Sequence, residues 1–459
     1  MLLEGKCKRF PTLNSELSPY GDKYISYIKG GYKMKRNMLR ITTAMGLVAA
    51  MTVSQSAPVL ADDNSGDKIT LTFAFDEGVG TPTEEAIEAF NASQDKIQVE
   101  SYHLPQDANN LHDDFVNKMV SEDTSIDVMA LDVVYIAEFA SAGWLENLDG
   151  LYTDDELAAY LDGTVEGAKY DGSLYAAPWF TNASALFYRT DVLEDLGITE
   201  VPTTYQGWID VYEKLGKDSG IDYAFCYQGG QSEAMVCNWV EFLASFGTSV
   251  LDEDGNPICN SQEAIDATQL MADYIGTYAP EGTTTYAETE SQQVFQEGKS
   301  LTCRTWSGTW NTFNDPEQSD VAGKVGMTML PVYKEGDTAH SCLGGLDLAV
   351  NTYIDDEHKE AAKTFIKWLS SEEEEKAFCL SSAQPPTVKA VYSDADVLEQ
   401  IPFYTDFYSI IENGKGRPSS PDYSLLSDAI QRNVHSALAK EVSVEDALNA
   451  LQDEAEALG

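Results

Sequence analysis

The feature that most constrains this chain is a hydrophobic period that switches from two to about 3.6 and back, again and again, from residue 69 onward. Ile69, Leu71 and Phe73 alternate with Thr70 and Thr72, as in a half-buried strand. Thr81-Pro82-Thr83-Glu84 follows, a helix start with capping-box spacing and a proline in the first turn. A second strand is predicted over 97–102, then a helix with Leu111, Phe115 and Met119 on one face, then a strand over 126–131. Strands and helices in this order need crossover connections and build a mainly parallel, doubly wound sheet. Ligands of such α/β sheets bind beyond the carboxyl ends of the strands. Glu77 and Asp132 stand at two such ends.

After Leu174-Tyr175-Ala176-Ala177-Pro178 the pattern restarts, with strands predicted over 186–188, 223–227 and 301–304 and helices over 232–246 and after Ser261. A strand over 346–350, a helix over 356–369 and the rigid break Gln384-Pro385-Pro386 come next. With 459 residues the chain exceeds what one core usually organises, so two lobes are expected. Residues 67–180 plus 345–384 are assigned to the first and 181–344 plus 385–459 to the second, with crossings at the three breaks. Glu372 to Glu375 reads as a solvated helix face. Ser443 and Asp446 cap a helical tail.

Residues 34–61 read as a secretory signal, with Lys35, Arg36 and Arg40, an apolar run from Ile41 to Val53, and Val59-Leu60-Ala61 as cleavage site. Residues 1–33 read as an extension from a mis-assigned start. The chain holds 29 basic and 76 acidic residues, a net −47. Residues 1–61 hold nine Lys/Arg and three Asp/Glu, so the secreted form keeps 20 against 73, a net −53. That field argues against nucleic acid or an anionic membrane as partner and suits an uncharged ligand. Of the seven cysteines, Cys7 falls in the extension, and the other six sit in apolar contexts that suit buried thiols, although their even number permits disulfides. Neither C-x-x-C nor zinc-spaced His occurs, so no metal or other cofactor is expected. No lipoprotein cysteine follows the signal, and the protein is expected outside the cytoplasmic membrane, as a monomer.

Several stretches resemble the family 1 extracellular solute-binding proteins of ABC sugar importers, and within them the trehalose/maltose-binding branch. They are Ile126-Asp127-Val128 through Asp132, Ala142-Gly143-Trp144-Leu145-Glu146, Leu174 to Pro178 through Tyr188-Arg189, and Tyr227-Gln228-Gly229. Lys324-Val325-Gly326, Leu343-Gly344-Gly345 and Arg417-Pro418 continue the series. Each is weak alone; their order and spacing carry the resemblance. It implies a two-lobed periplasmic-binding-protein type II fold with three interlobe crossings, a ligand in the central cleft, and closure that presents the loaded receptor to a membrane permease. It further implies Asp132 as an acceptor for sugar hydroxyls, Trp306 and Trp310 as stacking platforms, Gly344 and Gly345 as close-approach backbone, and Arg417 as a donor. Asn182 stands where that branch carries aspartate, and Leu346-Asp347 where it carries tryptophan after Gly-Gly. Gly308 replaces an aromatic. Asn182, Glu77 and Asp347 complete the candidate ligand contacts.

These residue types fit carbohydrate, whose C–H face packs on an indole and whose hydroxyls pair with carboxylate, amide and guanidinium groups. The reading is therefore a receptor for a neutral disaccharide or short oligosaccharide, with no catalytic residue. A secreted glycoside hydrolase and a same-fold receptor for a polyamine or peptide are the alternatives. Neither G-x-S-x-G nor H-E-x-x-H occurs.

Overall fold

The computed structural model describes residues 68–458, apart from positions 106, 217, 253, 254, 413 and 419. The extension and the expected signal lie outside the described residues. Strand β1 (Ile69–Asp76), helix α1 (Gly80–Ser93), β2 (Ile97–Leu104), α2 (Ala108–Val120) and β3 (Val128–Asp132) follow the expected order. Leu71 and Phe73 are fully buried and Thr70 is exposed, as the alternation requires. The capping box does not form. α1 starts at Gly80 with Val79 at its cap position and no side-chain cap. The Asp76 carboxylate instead accepts the Gly78 N–H at 2.7 Å in the turn before it, and Thr83 turns its hydroxyl back to the Val79 carbonyl.

Strand β4 (Ala176–Arg189) runs for 14 residues out of the first lobe and into the second. There follow β5 (Tyr223–Cys226), α3 (Glu233–Ser245), β6 (Ser300–Trp306) and β7 (Val325–Thr328). Strand β8 (Cys342–Val350) returns. The sheet order is β2-β1-β3-β8-β4-β6-β5, with β7 beside β4 and the short β9 (Lys415–Gly416) beside β8. β1 is parallel to β2 and β3, and β5 to β6. β8 is antiparallel to both β3 and β4, because the chain leaves on one crossing strand and comes back on the other. The sheet is therefore mixed at its middle rather than parallel throughout.

Each lobe has its own core. Phe73, Phe90, Trp179 and Phe365 lie in the first, and Trp208, Trp239, Ile430 and Leu448 in the second. Residues after Gln384 depart from the expected assignment: Val388, Val391, Tyr404, Phe407 and Ile411 pack in the first core, not the second. Pro385 and Pro386 are held there by backbone contacts with Thr181 and Phe180. The third crossing comes later, at Gly414–Pro418 around β9, before helix α4 (Asp356–Leu369) and α5 (Glu372–Ser382) of the first lobe are joined to α6 (Tyr423–Leu438) of the second. Glu375 is also a correction. It is 1% exposed and its carboxylate accepts the N–H groups of Thr387 and Val388 at 2.7 and 2.9 Å. It ties α5 to the segment after the prolines, a tertiary role that a run of four glutamates conceals. Among the described residues no helix is long and apolar enough to cross a membrane.

Helix α4 is fixed at its start by a second buried carboxylate. Asp127 accepts the Thr72 N–H at 2.7 Å with one oxygen and meets His358 Nδ1 at 2.7 Å with the other. The hydrogen bond and charge of Asp127 hold the His358 imidazolium above its usual pKa of about 6.5. A raised pKa adds stability that is complete below the unfolded value and disappears as pH rises through the folded one. We therefore expect His358→Gln to destabilise the protein more at pH 5.5 than at pH 8.5, measured as the gap in urea midpoint between variant and parent. An equal gap at both pH values would leave the pair without an electrostatic role.

Candidate functional site

The carboxyl ends of β1 and β3, the end of β6 and the crossings at β4, β8 and Gly414–Pro418 converge on a cleft of about 260 Å³. Its walls carry Asp76, Asp132 and Gln384 from one side and Glu233, Glu288, Gln292 and Trp306 from the other, with Asn182, Gly344, Gly345 and Arg417 on the crossings. A larger cavity of about 540 Å³ adjoins the same crossings, but Val133, Leu161, Leu343, Tyr408 and Ile411 give it mostly apolar walls. The charges and the indole gather in the cleft.

Arg417 organises the polar side. Its Nη2 donates to Asp132 at 2.9 Å and its Nη1 to Glu233 at 2.8 Å, while its side chain is 2% exposed. Glu233 also accepts from the hydroxyls of Tyr423 and Ser427. Each terminal nitrogen spends one of its two N–H groups on a carboxylate, and Nε has no partner among the described residues, so Arg417 bridges the lobes and keeps donors to spare. Asp132 also caps the turn that follows β3, accepting the Val134 N–H at 3.2 Å, so helix capping and cleft lining are combined in one residue.

Trp306 is half-buried at the end of β6. The Arg304 guanidinium lies 4.8 Å from its ring centroid, and its indole N–H donates to Glu288 at 3.3 Å. Arg304 is itself held by Glu241, at 2.7 Å through Nε, and by Gln228 at 3.0 Å. A buried polar frame thus orients the ring. Gly344 brings backbone against the ring edge: a Cβ there would stand 3.4 Å from Trp306 Cη2. Gly345 is demanded by geometry, since φ is +130° and a Cβ would lie 2.3 Å from the Phe180 carbonyl oxygen. Asn182 lines the cleft while its Oδ1 accepts from the Ser307 hydroxyl at 2.9 Å.

Three expected contacts lie elsewhere. Glu77 is exposed beside the cleft, and its neighbour Asp76 takes the inward position. Trp310 packs 4.7 Å from Phe403 and 6.5 Å from Phe187, so its ring joins the lobes instead of facing the cleft. Asp347 is buried between β3 and β4, opposite Leu131 and Pro178. The missing aromatic at Gly308 is answered by Gln384, whose side-chain atoms lie 2.8 Å from where a Cβ would be.

Burial, aided by the nearby charge of Asp132 and opposed by the Gly78 amide, pushes the Asp76 carboxyl up to about 6. In mildly acidic medium it can therefore donate as well as accept. Asn109 of α2 links the two lobes. Its Oδ1 accepts the Glu233 N–H at 3.2 Å and its Nδ2 reaches Gln431 at 3.4 Å. A first-lobe residue thus caps the second-lobe helix α3, whose own cap residue Ser232 makes no side-chain cap.

Residues 76–376 match the family described as bacterial extracellular solute-binding protein. The chain belongs to that family. A probable ABC transporter-binding protein of Deinococcus radiodurans is 30% identical over 425 residues, 90% of this chain and 97% of that protein. The maltose-bound MalE3 of T. maritima superposes with a TM-score of 0.81 at 35% identity, covering 85% of this chain and all of the other. An ABC transporter solute-binding protein of Agrobacterium radiobacter K84 in complex with ribitol gives 0.78 at 28% identity, covering 85% and 99%. This solute-binding protein is of the sugar type, with the two-lobed fold of such receptors, and its homologues are binding proteins, not enzymes.

Asp347 gives this solute-binding protein a test separate from ligand contact. Burial, with Asp132 nearby, holds its carboxyl well above the usual range, and only the Trp179 backbone amide offers partial relief. An acid with a raised folded pKa contributes stability below its unfolded pKa and loses it as pH rises. Asp347→Asn, which keeps the shape without the titration, is expected to raise the melting temperature by a few degrees at pH 7 and by less at pH 4. A lower melting temperature at pH 7 would mean that the carboxylate has a partner in the native protein.

Proposed function

We propose that the cleft captures a neutral carbohydrate of one or two rings, a disaccharide or the end of a short oligosaccharide, and that the protein delivers it as a monomer to the permease of an ABC importer. The observation that carries this reading is Trp306, an indole held at the cleft wall by Arg304 and Glu288 with the carboxylates of two strand ends on the opposite wall. A pyranose can lay its C–H face on such a ring while Asp76, Asp132, Asn182 and Gln292 take its hydroxyls. The about 260 Å³ of space and the narrowing between Gly308 and Gln384 favour a short ligand. The maltose in the T. maritima relative agrees in size. A second reading is a linear polyol, favoured by the same small volume and by the ribitol in the A. radiobacter relative.

A thermal-shift panel of maltose, trehalose, longer maltodextrins, ribitol, mannitol and a polyamine separates these readings, since a ligand bound only by the native state raises the melting temperature. A disaccharide is expected to give the largest shift. A shift with the polyamine alone contradicts the carbohydrate reading, and a shift with polyols alone selects the second. For the ligand so found, calorimetry on Trp306→Ala is expected to show binding weaker by roughly 1–3 kcal/mol, while unchanged affinity removes the indole from the site.

A further inference from the structure

All six described cysteines are buried free thiols in the structure, and four of them fall into two pairs. Cys226 on β5 and Cys303 on β6 are register partners in a parallel pairing, so their side chains leave the sheet on the same face. Both thiols turn to one acceptor, the Ser291 carbonyl, at 3.3 and 3.9 Å. Cys237 on α3 neighbours Cys342, the first residue of β8, where that helix packs on that strand. Glu241, one turn along α3 from Cys237, fixes that approach by accepting the Cys342 N–H at 3.0 Å. The other two are apart from these: Cys259 donates towards the Val250 carbonyl at 3.6 Å, and Cys379 lies in the first core.

We propose that the exported protein carries two disulfides, Cys226–Cys303 and Cys237–Cys342, with Cys259 and Cys379 left as thiols. Neighbouring strands lie about 5 Å apart, inside the about 4.4–6.8 Å between Cα atoms that a disulfide spans. Each bond forms by exchange with an external disulfide such as oxidised glutathione. One cysteine thiolate attacks it and displaces a glutathione thiolate; the second cysteine thiolate then displaces the other. The two electrons and two protons of the pair leave on two molecules of reduced glutathione. Cys237 is held in its thiol form by the contact with Cys342 and by burial, and Cys303 by burial and the contact with Cys226. Folded thiols of this kind react slowly, so the bonds form while the chain folds outside the membrane.

The second bond bears on the cleft. Cys237 lines it, α3 carries Glu233 to Arg417, and β8 runs from Cys342 directly into Gly344 and Gly345. A cross-link there ties the wall that holds the cation bridge to the strand that crosses between lobes. The Cys226–Cys303 bond ties β5 to β6 behind Trp306.

The test is to unfold and reduce the exported chain, refold it with reduced and oxidised glutathione, alkylate it, and map its peptides without reduction. Peptides joining 226 to 303 and 237 to 342 are expected, with Cys259 and Cys379 alkylated and the four bonded cysteines short of four hydrogens, about 4 Da. Cys342→Ser is expected to leave Cys237 alkylated while the 226–303 link persists. Alkylation of all six, or linkage of any cysteine across the two pairs or to Cys259 or Cys379, overturns the assignment. One link found alone overturns the other.

Discussion

Arg417 enters the interior on the third crossing, and there its guanidinium meets Asp132 of the first lobe and Glu233 of the second. A cation cannot stay in such a place without counter-charge, because desolvation costs several kcal/mol per ion before any partner is counted. Two carboxylates at 2.9 and 2.8 Å supply it; the Tyr423 hydroxyl donates to the same Glu233 oxygen as Arg417, and the Ser427 hydroxyl donates to the other. The bridge sets the relative positions of the β3 end, the start of α3 and the crossing that carries Arg417. The cleft is the space those three leave beside Trp306. Removing either carboxylate would strand a buried charge, so the arrangement is committed in a way that a surface ion pair is not.

The crossings themselves are built for close approach. Gly345 permits β8 to run against Phe180 and Thr181 of β4 where no side chain fits, and Gly344 leaves room for the Trp306 edge. Asn109 caps the helix of the opposite lobe, and Phe403 and Trp310 pack together. The lobes are therefore joined by a polar cap and an aromatic pair as well as by the cation bridge.

Much of this was legible in the sequence, for physical reasons that differ residue by residue. The period of two in Ile69, Leu71 and Phe73 and the spacing of Leu111, Phe115 and Met119 reflect burial that each element decides locally, and those elements form as read. Asp132 was visible because strand-end position is itself a local property. Glu77 was chosen over Asp76 because one step at a strand end reverses which side chain points inward. Glu233 stayed hidden because the partner that gives it meaning is 184 residues away. Glu375 was lost inside a run of glutamates whose other members at 372 and 373 are exposed. Trp310 is the reverse case: the resemblance implies a stacking platform, but its partner Phe403 belongs to a segment that packs on the first core rather than the second. Asp347 shows that a carboxylate beside a cleft-lining Gly-Gly can be a buried neighbour.

The central claim is that carbohydrate sits on the Trp306 indole with its hydroxyls turned to the carboxylates that surround the Arg417 bridge. A crystal structure of the protein grown with its preferred sugar tests it most directly. The expected density shows a ring stacked on Trp306 with hydroxyls within hydrogen-bond distance of Asp76 and Asp132, and the Asp132–Arg417–Glu233 bridge intact. A sugar bound in the neighbouring apolar cavity, or an Asp132–Arg417–Glu233 bridge broken on binding, would overturn it.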